Sequence, residues 1–97
     1  MKRRSVIFSP RASRDLRSLF FYIARHGGVA TAAGYVSRIE SFCGDLDMFS
    51  ERGRRLRGGV RVFTFEDSAS IAVRVSPGWV RILAVAYRGR DLSKDIT

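Results

Sequence analysis

Hydrophobic positions along this chain change their period twice. Ser5 to Phe8 is short, β-branched and aromatic, and predicts a strand that stops at Ser9-Pro10, where a serine N-cap and a first-turn proline open a helix. From Pro10 to about His26, the apolar residues Ala12, Leu16, Leu19, Phe20 and Ile23 share an arc of roughly 100° on a helical wheel, as one buried stripe requires. Gly27-Gly28 ends that helix, with Arg25 and His26 in the last turn where positive charge suits the helix dipole. A second stripe of Ala32, Tyr35, Val36, Ile39, Phe42, Cys43, Leu46 and Phe49 predicts a helix from about Ala30 to Phe49. The glycines between them leave so short a link that the two helices are expected to fold back as an antiparallel hairpin.

Beyond Phe49 the helical period is lost. Ser50 to Gly59, with three glycines and Arg52, Arg54, Arg55 and Arg57, reads as a basic loop. Alternation then predicts three strands, Val60 to Phe65, Ser70 to Val75 and Trp79 to Tyr87. The turns between them are Glu66-Asp67-Ser68-Ala69 and Ser76-Pro77-Gly78-Trp79, the second with proline and glycine where a type II turn wants them. The order β-α-α-β-β-β predicts an α+β fold with an N-terminal strand, a two-helix hairpin and a three-stranded antiparallel sheet, in one domain over residues 1–97.

Register follows if each hairpin closes on its central pair, Asp67-Ser68 and Pro77-Gly78. Counting outward collects Val60, Val62, Ile71, Val73, Val75, Val80, Ile82, Ala84 and Ala86 on the face that receives the helices. The opposite face then aligns Arg61, Arg74 and Arg81 across three strands, flanked by Phe63, Phe65, Leu83, Val85 and Tyr87. Like charges placed opposite one another need carboxylates or an external anion to offset them. The alternative is a set of splayed, solvated side chains on a face partly covered by the C-terminal tail.

Charge sharpens this picture. Lysine plus arginine number 18 against 9 acidic residues, a net +9, and the only lysines are Lys2 and Lys94. Arginine in such excess favours bidentate recognition of carboxylates or phosphates, so the expected partner is acidic: nucleic acid, an anionic membrane or an acidic protein segment. No apolar run approaches the roughly 20 residues of a membrane span, and a cytoplasmic location is expected. One cysteine and one histidine exclude an internal disulfide and a Cys/His metal cluster, and no cofactor is expected. Cys43 reads as a small hydrophobe and His26 as a helix cap. Phe21 lies nearly opposite the first buried stripe, among Arg14, Arg17 and Arg25. That arrangement suits a groove for an amphipathic acidic peptide, the alternative being that Phe21 packs on the second helix. The loop arginines read as a solvated run, with nucleic-acid contact as the alternative.

Several motifs recur together: Phe8-Ser9-Pro10-x-Ala12-x-x-Asp15-Leu16, Tyr22-Ile23-Ala24, a helix bearing Tyr35, Ile39 and Cys43, then Ile71-Ala72-Val73-Arg74-Val75. The last is Val80-x-Ile82-Leu83-x-Val85-x-Tyr87-Arg88-Gly89-Arg90-Asp91. Over nearly its whole length the chain resembles ParE, the toxin of type II toxin-antitoxin modules in the RelE/ParE superfamily. The resemblance implies a helical hairpin on an antiparallel sheet, expression in a bacterial cytoplasm, growth arrest through DNA gyrase, and a ParD-like antitoxin whose acidic, disordered tail folds on contact. RelE-like relatives instead cut messenger RNA on the ribosome, which requires a cluster of basic residues with a tyrosine, histidine or glutamate. Arg61, Arg74, Arg81 and Tyr87 mimic part of such a cluster, but the sheet has no lysine. The expectation is a gyrase inhibitor that is not an enzyme; the alternatives are a ribosome-dependent nuclease and a non-toxic nucleic-acid-binding module. Target contact is expected at Tyr87, Arg88, Arg90 and Asp91, then Arg74 and Arg81. Antitoxin contact is expected at Arg14, Arg17, Phe21, Arg25 and Arg61. Nucleic acid is expected to be reached only through the antitoxin, and no membrane is involved.

Overall fold

The computed structural model describes residues 5–49 and 52–87. In chain order these form β1 (Ser5–Phe8), α1 (Pro10–Gly27), α2 (Val29–Gly44), α3 (Leu46–Phe49), β2 (Arg54–Arg55), β3 (Val60–Phe65), β4 (Ala69–Ser76) and β5 (Trp79–Tyr87). One sheet takes the order β1-β5-β4-β3-β2, with β1 parallel to β5 and every other pair antiparallel. The α+β architecture is as the pattern predicts, enlarged by β1 at one edge and the unforeseen β2 at the other.

Ser9 joins three elements at once. Its hydroxyl accepts from the Ala12 N–H at 3.0 Å, the N-cap that starts α1, and donates to the Leu83 carbonyl at 3.0 Å. Its own N–H donates to the Ile82 carbonyl at 2.9 Å, so β1, α1 and β5 meet in one residue. Gly28 is the whole link between α1 and α2. At φ 95° it donates to the Ala24 carbonyl and accepts from the Ala32 N–H, closing one helix and opening the next. α2 stops at Gly44, earlier than its apolar stripe predicts, and α3 carries the stripe onward with Leu46 in the core.

Helices and sheet enclose one main core, in which Ile39, Ile71, Val73, Val80 and Ile82 are fully buried. Each such side chain contributes about 1.5–3 kcal/mol through burial. Two local events decide which strand residues point into it. The β3–β4 loop holds three residues, Glu66 to Ser68, so Phe65 pairs with Ala69 and Arg61 with Val73. The loop is fixed from α2: the Tyr35 hydroxyl lies 2.6 Å from Ser68 Oγ, and the Arg38 guanidinium donates twice to the Glu66 carboxylate at 2.8 and 3.0 Å. Those contacts hold Glu66 and Asp67 at left-handed φ values of 50° and 55°. The second event is a bulge at Leu83, beyond which Ala84 pairs with Ala72 while Ile82 pairs with Val73.

A one-residue slip turns a strand's side chains to the other face. The predicted face assignment is corrected accordingly. Phe63, Phe65, Val85 and Tyr87 face the helices, whereas Val60, Val62, Ala84 and Ala86 lie on the side away from them. Arg61 leaves the predicted row of three arginines. Arg74 and Arg81 remain directly opposed, because the second hairpin closes on Pro77-Gly78 as predicted, although Gly78 lacks the positive φ of the expected type II turn.

The basic loop also has more structure than its composition predicts. Arg54 and Arg55 pair with Val62 and Arg61, and Leu56 donates to the Val60 carbonyl at 2.7 Å. Gly53 is required there, since a Cβ at that position would lie 2.6 Å from the Phe63 ring.

Candidate functional site

One flank of α1 carries Asp15, Ser18, Leu19 and Tyr22 at helical spacing, and beside it β5 runs on past the end of β1. Together with Val85, Ala86 and Tyr87 they line a cleft of about 400 Å³. Asp15 Oδ2 accepts the Val85 N–H at 2.9 Å and stands 3.8 Å from Arg11 Nε. Tyr87 is half-buried, its ring 5.8 Å from Tyr22 and 5.7 Å from Tyr35. The series extends from Tyr35 to Phe65 at 5.6 Å and from Tyr22 to His26 at 4.4 Å. The tyrosine and Phe65 contacts are edge-on, an attractive geometry at such distances, so Tyr87 is a packed aromatic wall with one side open to the cleft. Burial pushes the Tyr35 phenol above its ordinary range, against the smaller opposing effect of its bond to Ser68, and it stays protonated at neutral pH. His26 Nδ1–H donates to the Tyr22 carbonyl at 2.8 Å. The cleft therefore offers aromatic surface and a carboxylate that already holds a backbone amide, an arrangement suited to receiving a partner's side chain.

The outer side of α1 exposes Arg14, Arg17, Phe21 and Arg25 together, as the wheel predicts. Phe21 is 60% exposed and rests edge-on against Phe20 at 5.6 Å, so the alternative of packing on α2 is not what forms. Beside this surface, Phe8, Leu16, Arg17, Phe20, Val36 and Glu40 line a groove of about 360 Å³ between the helices. Arg17 borders both.

The remaining site residues separate. Arg74 and Arg81 project from the helix-free face, with Arg74 Nη1 donating to the Gly58 carbonyl. Arg61 sits on the helix-facing side and donates to the Gly53 carbonyl at 3.2 Å. It is therefore not part of the α1 surface with which it was grouped. Arg88, Arg90 and Asp91 lie outside the described residues. Cys43 is buried, and burial, with Glu40 nearby, pushes its thiol up to about 12, which leaves it inert as expected.

Asp15, Tyr22 and Phe20 were missed as site residues by sequence reasoning. The available signal was the second periodicity of α1: Asp15, Ser18 and Tyr22 repeat beside the buried stripe, and that flank is too polar to belong to the core. Among the described residues no cluster of His, Cys, Asp or Glu is suited to hold a metal. Among the same residues no helix is long and apolar enough to cross a membrane.

Solved structures share this architecture. A chain of the chromosomal ParDE toxin-antitoxin system from P. aeruginosa is similar with a TM-score of 0.79 and 22% identity, over 88% of this chain and 96% of that one. A chain of the toxin-antitoxin complex RelBE2 from Mycobacterium tuberculosis is similar with a TM-score of 0.69 and 24% identity, over 89% of this chain and 99% of that one. No curated protein matches the chain. The family model described as the ParE toxin of the type II toxin-antitoxin system parDE matches residues 6–92, and the chain belongs to that family.

Proposed function

We propose that this ParE-family toxin arrests growth by inhibiting DNA gyrase, without being an enzyme, and that a ParD-like antitoxin with an acidic tail neutralises it. The observation that carries this reading over ribosome-dependent cleavage is the scattering of the nuclease-like residues. Arg61 is on the helix-facing side, while Arg74 and Arg81 are on the other face. Tyr87 is six residues along β5 from Arg81, which at the rise of a strand is on the order of 20 Å. Groups so placed cannot converge on one scissile phosphate, since a general acid or base must come within hydrogen-bond reach of its proton.

In this reading the antitoxin tail lies along the helical hairpin, with Arg14, Arg17 and Arg25 facing its carboxylates and Phe20 and Phe21 its apolar side chains. Target contact falls at the Tyr87 end of β5 and the residues that follow. The test is a pair of assays with the purified chain, gyrase supercoiling and cell-free translation. Supercoiling lost with translation spared supports the proposal, and the reverse result establishes the nuclease alternative. In cells, replacing Arg88 and Arg90 with alanine is expected to abolish growth arrest while antitoxin affinity is kept; undiminished arrest would remove those residues from the target surface.

A further inference from the structure

We propose that the cleft between α1 and β5 is a receptor for an arginine side chain presented by the toxin's protein target. The inference rests on the reading that target contact falls at the Tyr87 end of β5, and it adds the chemistry by which that contact is made.

The charge of the cleft runs against that of the chain. The sequence carries a net +9, yet Asp15 is the one charged residue among those that line this cleft. The groove between the helices has both Arg17 and Glu40 in its walls, and a hollow beside α3 has both Asp45 and Arg52. Arg11, 3.8 Å from Asp15 Oδ2, is one turn earlier on α1 and outside the lining of the Tyr22–Tyr87 cleft. Asp15 is also half used. Its Oδ2 accepts the Val85 N–H at 2.9 Å, which fixes the side chain, while Oδ1 has no hydrogen-bond partner among the described residues. A carboxylate held by one oxygen and open at the other is set to accept a charge-assisted bond from a cation. The side chain is 19% exposed, enough to be reached and shielded enough for its charge to act strongly.

The rings meet the second requirement. Tyr22, 44% exposed, and the half-buried Tyr87 stand with centroids 5.8 Å apart and planes at 62°, forming a corner instead of a closed stack. Side chains on a helix lean toward its N-terminus, so Tyr22 covers the turn of Ser18 and Leu19 that separates it from Asp15. The faces of such rings attract cations, guanidinium more often than ammonium. Arginine satisfies both halves of the cleft at once. Its planar head lies flat on a ring while N–H groups in that plane reach a carboxylate beside it, whereas a lysine ammonium is compact and strongly hydrated and gains less from the ring. Leu19 and Val85, both buried, floor the cleft with apolar surface for the methylene stem. Opposite charges thereby sort the two partners: the acidic antitoxin tail is directed to Arg14, Arg17 and Arg25, and Asp15 favours a partner of the other sign.

The experiment is an NMR titration of the full chain with N-acetylarginine amide, with the citrulline analogue as its uncharged isostere. Saturable shifts are expected in the Tyr22 and Tyr87 ring signals and the Val85 amide, with affinity for citrulline lower by about fivefold. Asp15→Asn keeps an oxygen for the Val85 N–H and is expected to weaken arginine binding by about fivefold, the upper end for an ion pair near the surface. Tyr22→Leu alters an exposed position, which keeps the test open should the Asp15 variant fold poorly, and is expected to weaken binding by about two- to fivefold, the range of an exposed cation–π contact. Both variants are expected to weaken supercoiling inhibition and to leave binding of polyglutamate, held by the α1 arginines, unchanged. Equal affinity for arginine and citrulline would overturn the proposal, as would larger shifts of the same signals by a mononucleotide, or variants that inhibit as well as the wild type. A wild-type chain that binds arginine in the cleft without inhibiting gyrase defeats the proposed function and spares this inference, whereas inhibition without arginine binding does the opposite.

Discussion

The two faces of the sheet differ in scale and in what they leave available. Toward the helices β3, β4 and β5 present Phe63, Phe65, Ile71, Ile82, Val85 and Tyr87, interlocked with Leu16, Leu19 and Ile39. Away from the helices the same strands present Val60, Val62, Ala72, Ala84 and Ala86, edged by arginine. The first face concentrates the volume that burial rewards, while the second forms a smaller buried cluster, with Leu56 and Leu83 packed against it. The arginines that edge the second cluster, Arg54, Arg74 and Arg81, are exposed and can be altered with little cost to folding.

The largest test of that division is Ile82→Ala on the helix-facing side. Its side chain is fully buried, and the substitution is expected to cost about 2–5 kcal/mol in urea unfolding. Val62→Ala on the opposite face is expected to cost no more than about 2 kcal/mol, and equal losses would erase the distinction. Gly53→Ala comes next, at about 1–3 kcal/mol, because the new methyl meets the Phe63 ring and forces it to move. Tyr35→Phe removes the hydroxyl that holds Ser68 and is expected to cost about 1 kcal/mol, read as a lowered melting temperature.

The smallest effect concerns pH. Hydrogen bonding to Arg38 holds the Glu66 carboxyl below its ordinary range. A depressed carboxyl contributes stability above its unfolded pKa, about 4.3 for glutamate, and that contribution is lost as pH falls through the folded value. Both side chains are largely exposed, so the contribution is small. Glu66→Gln is expected to flatten only this acid limb in melts run below pH 5, and an unchanged acid profile would show that the pair does not anchor the loop.

The division between faces was only half legible in the sequence. The stripes of α1 and α2 and the Pro77-Gly78 turn were readable because their causes are local: one periodicity, one cap, one turn dipeptide. The first hairpin was not, because its loop is held from α2 by Tyr35 and Arg38, roughly 30 residues away along the chain. The bulge at Leu83 was hidden for the same reason, being stitched by Ser9 and Asp15, about 70 residues upstream. A two-residue strand such as β2 has no period to detect, and Gly53 was its sole mark. Of the site, the exposed arginines and Phe21 on α1 were visible, while the Tyr22–Tyr87 cleft depends on a contact between the first helix and the last strand.

Those same two stitches determine what β5 refuses. Past Ile82 the strand has no neighbour on the β1 side among the described residues, and a bare row of amides and carbonyls there would template edge-to-edge polymerisation with a second copy. Ser9 occupies the Leu83 carbonyl and Asp15 the Val85 amide, so an incoming strand meets side chains where it needs backbone partners. The guard is supplied by the opening turns of a helix, and the strand it protects is free to keep an apolar sequence.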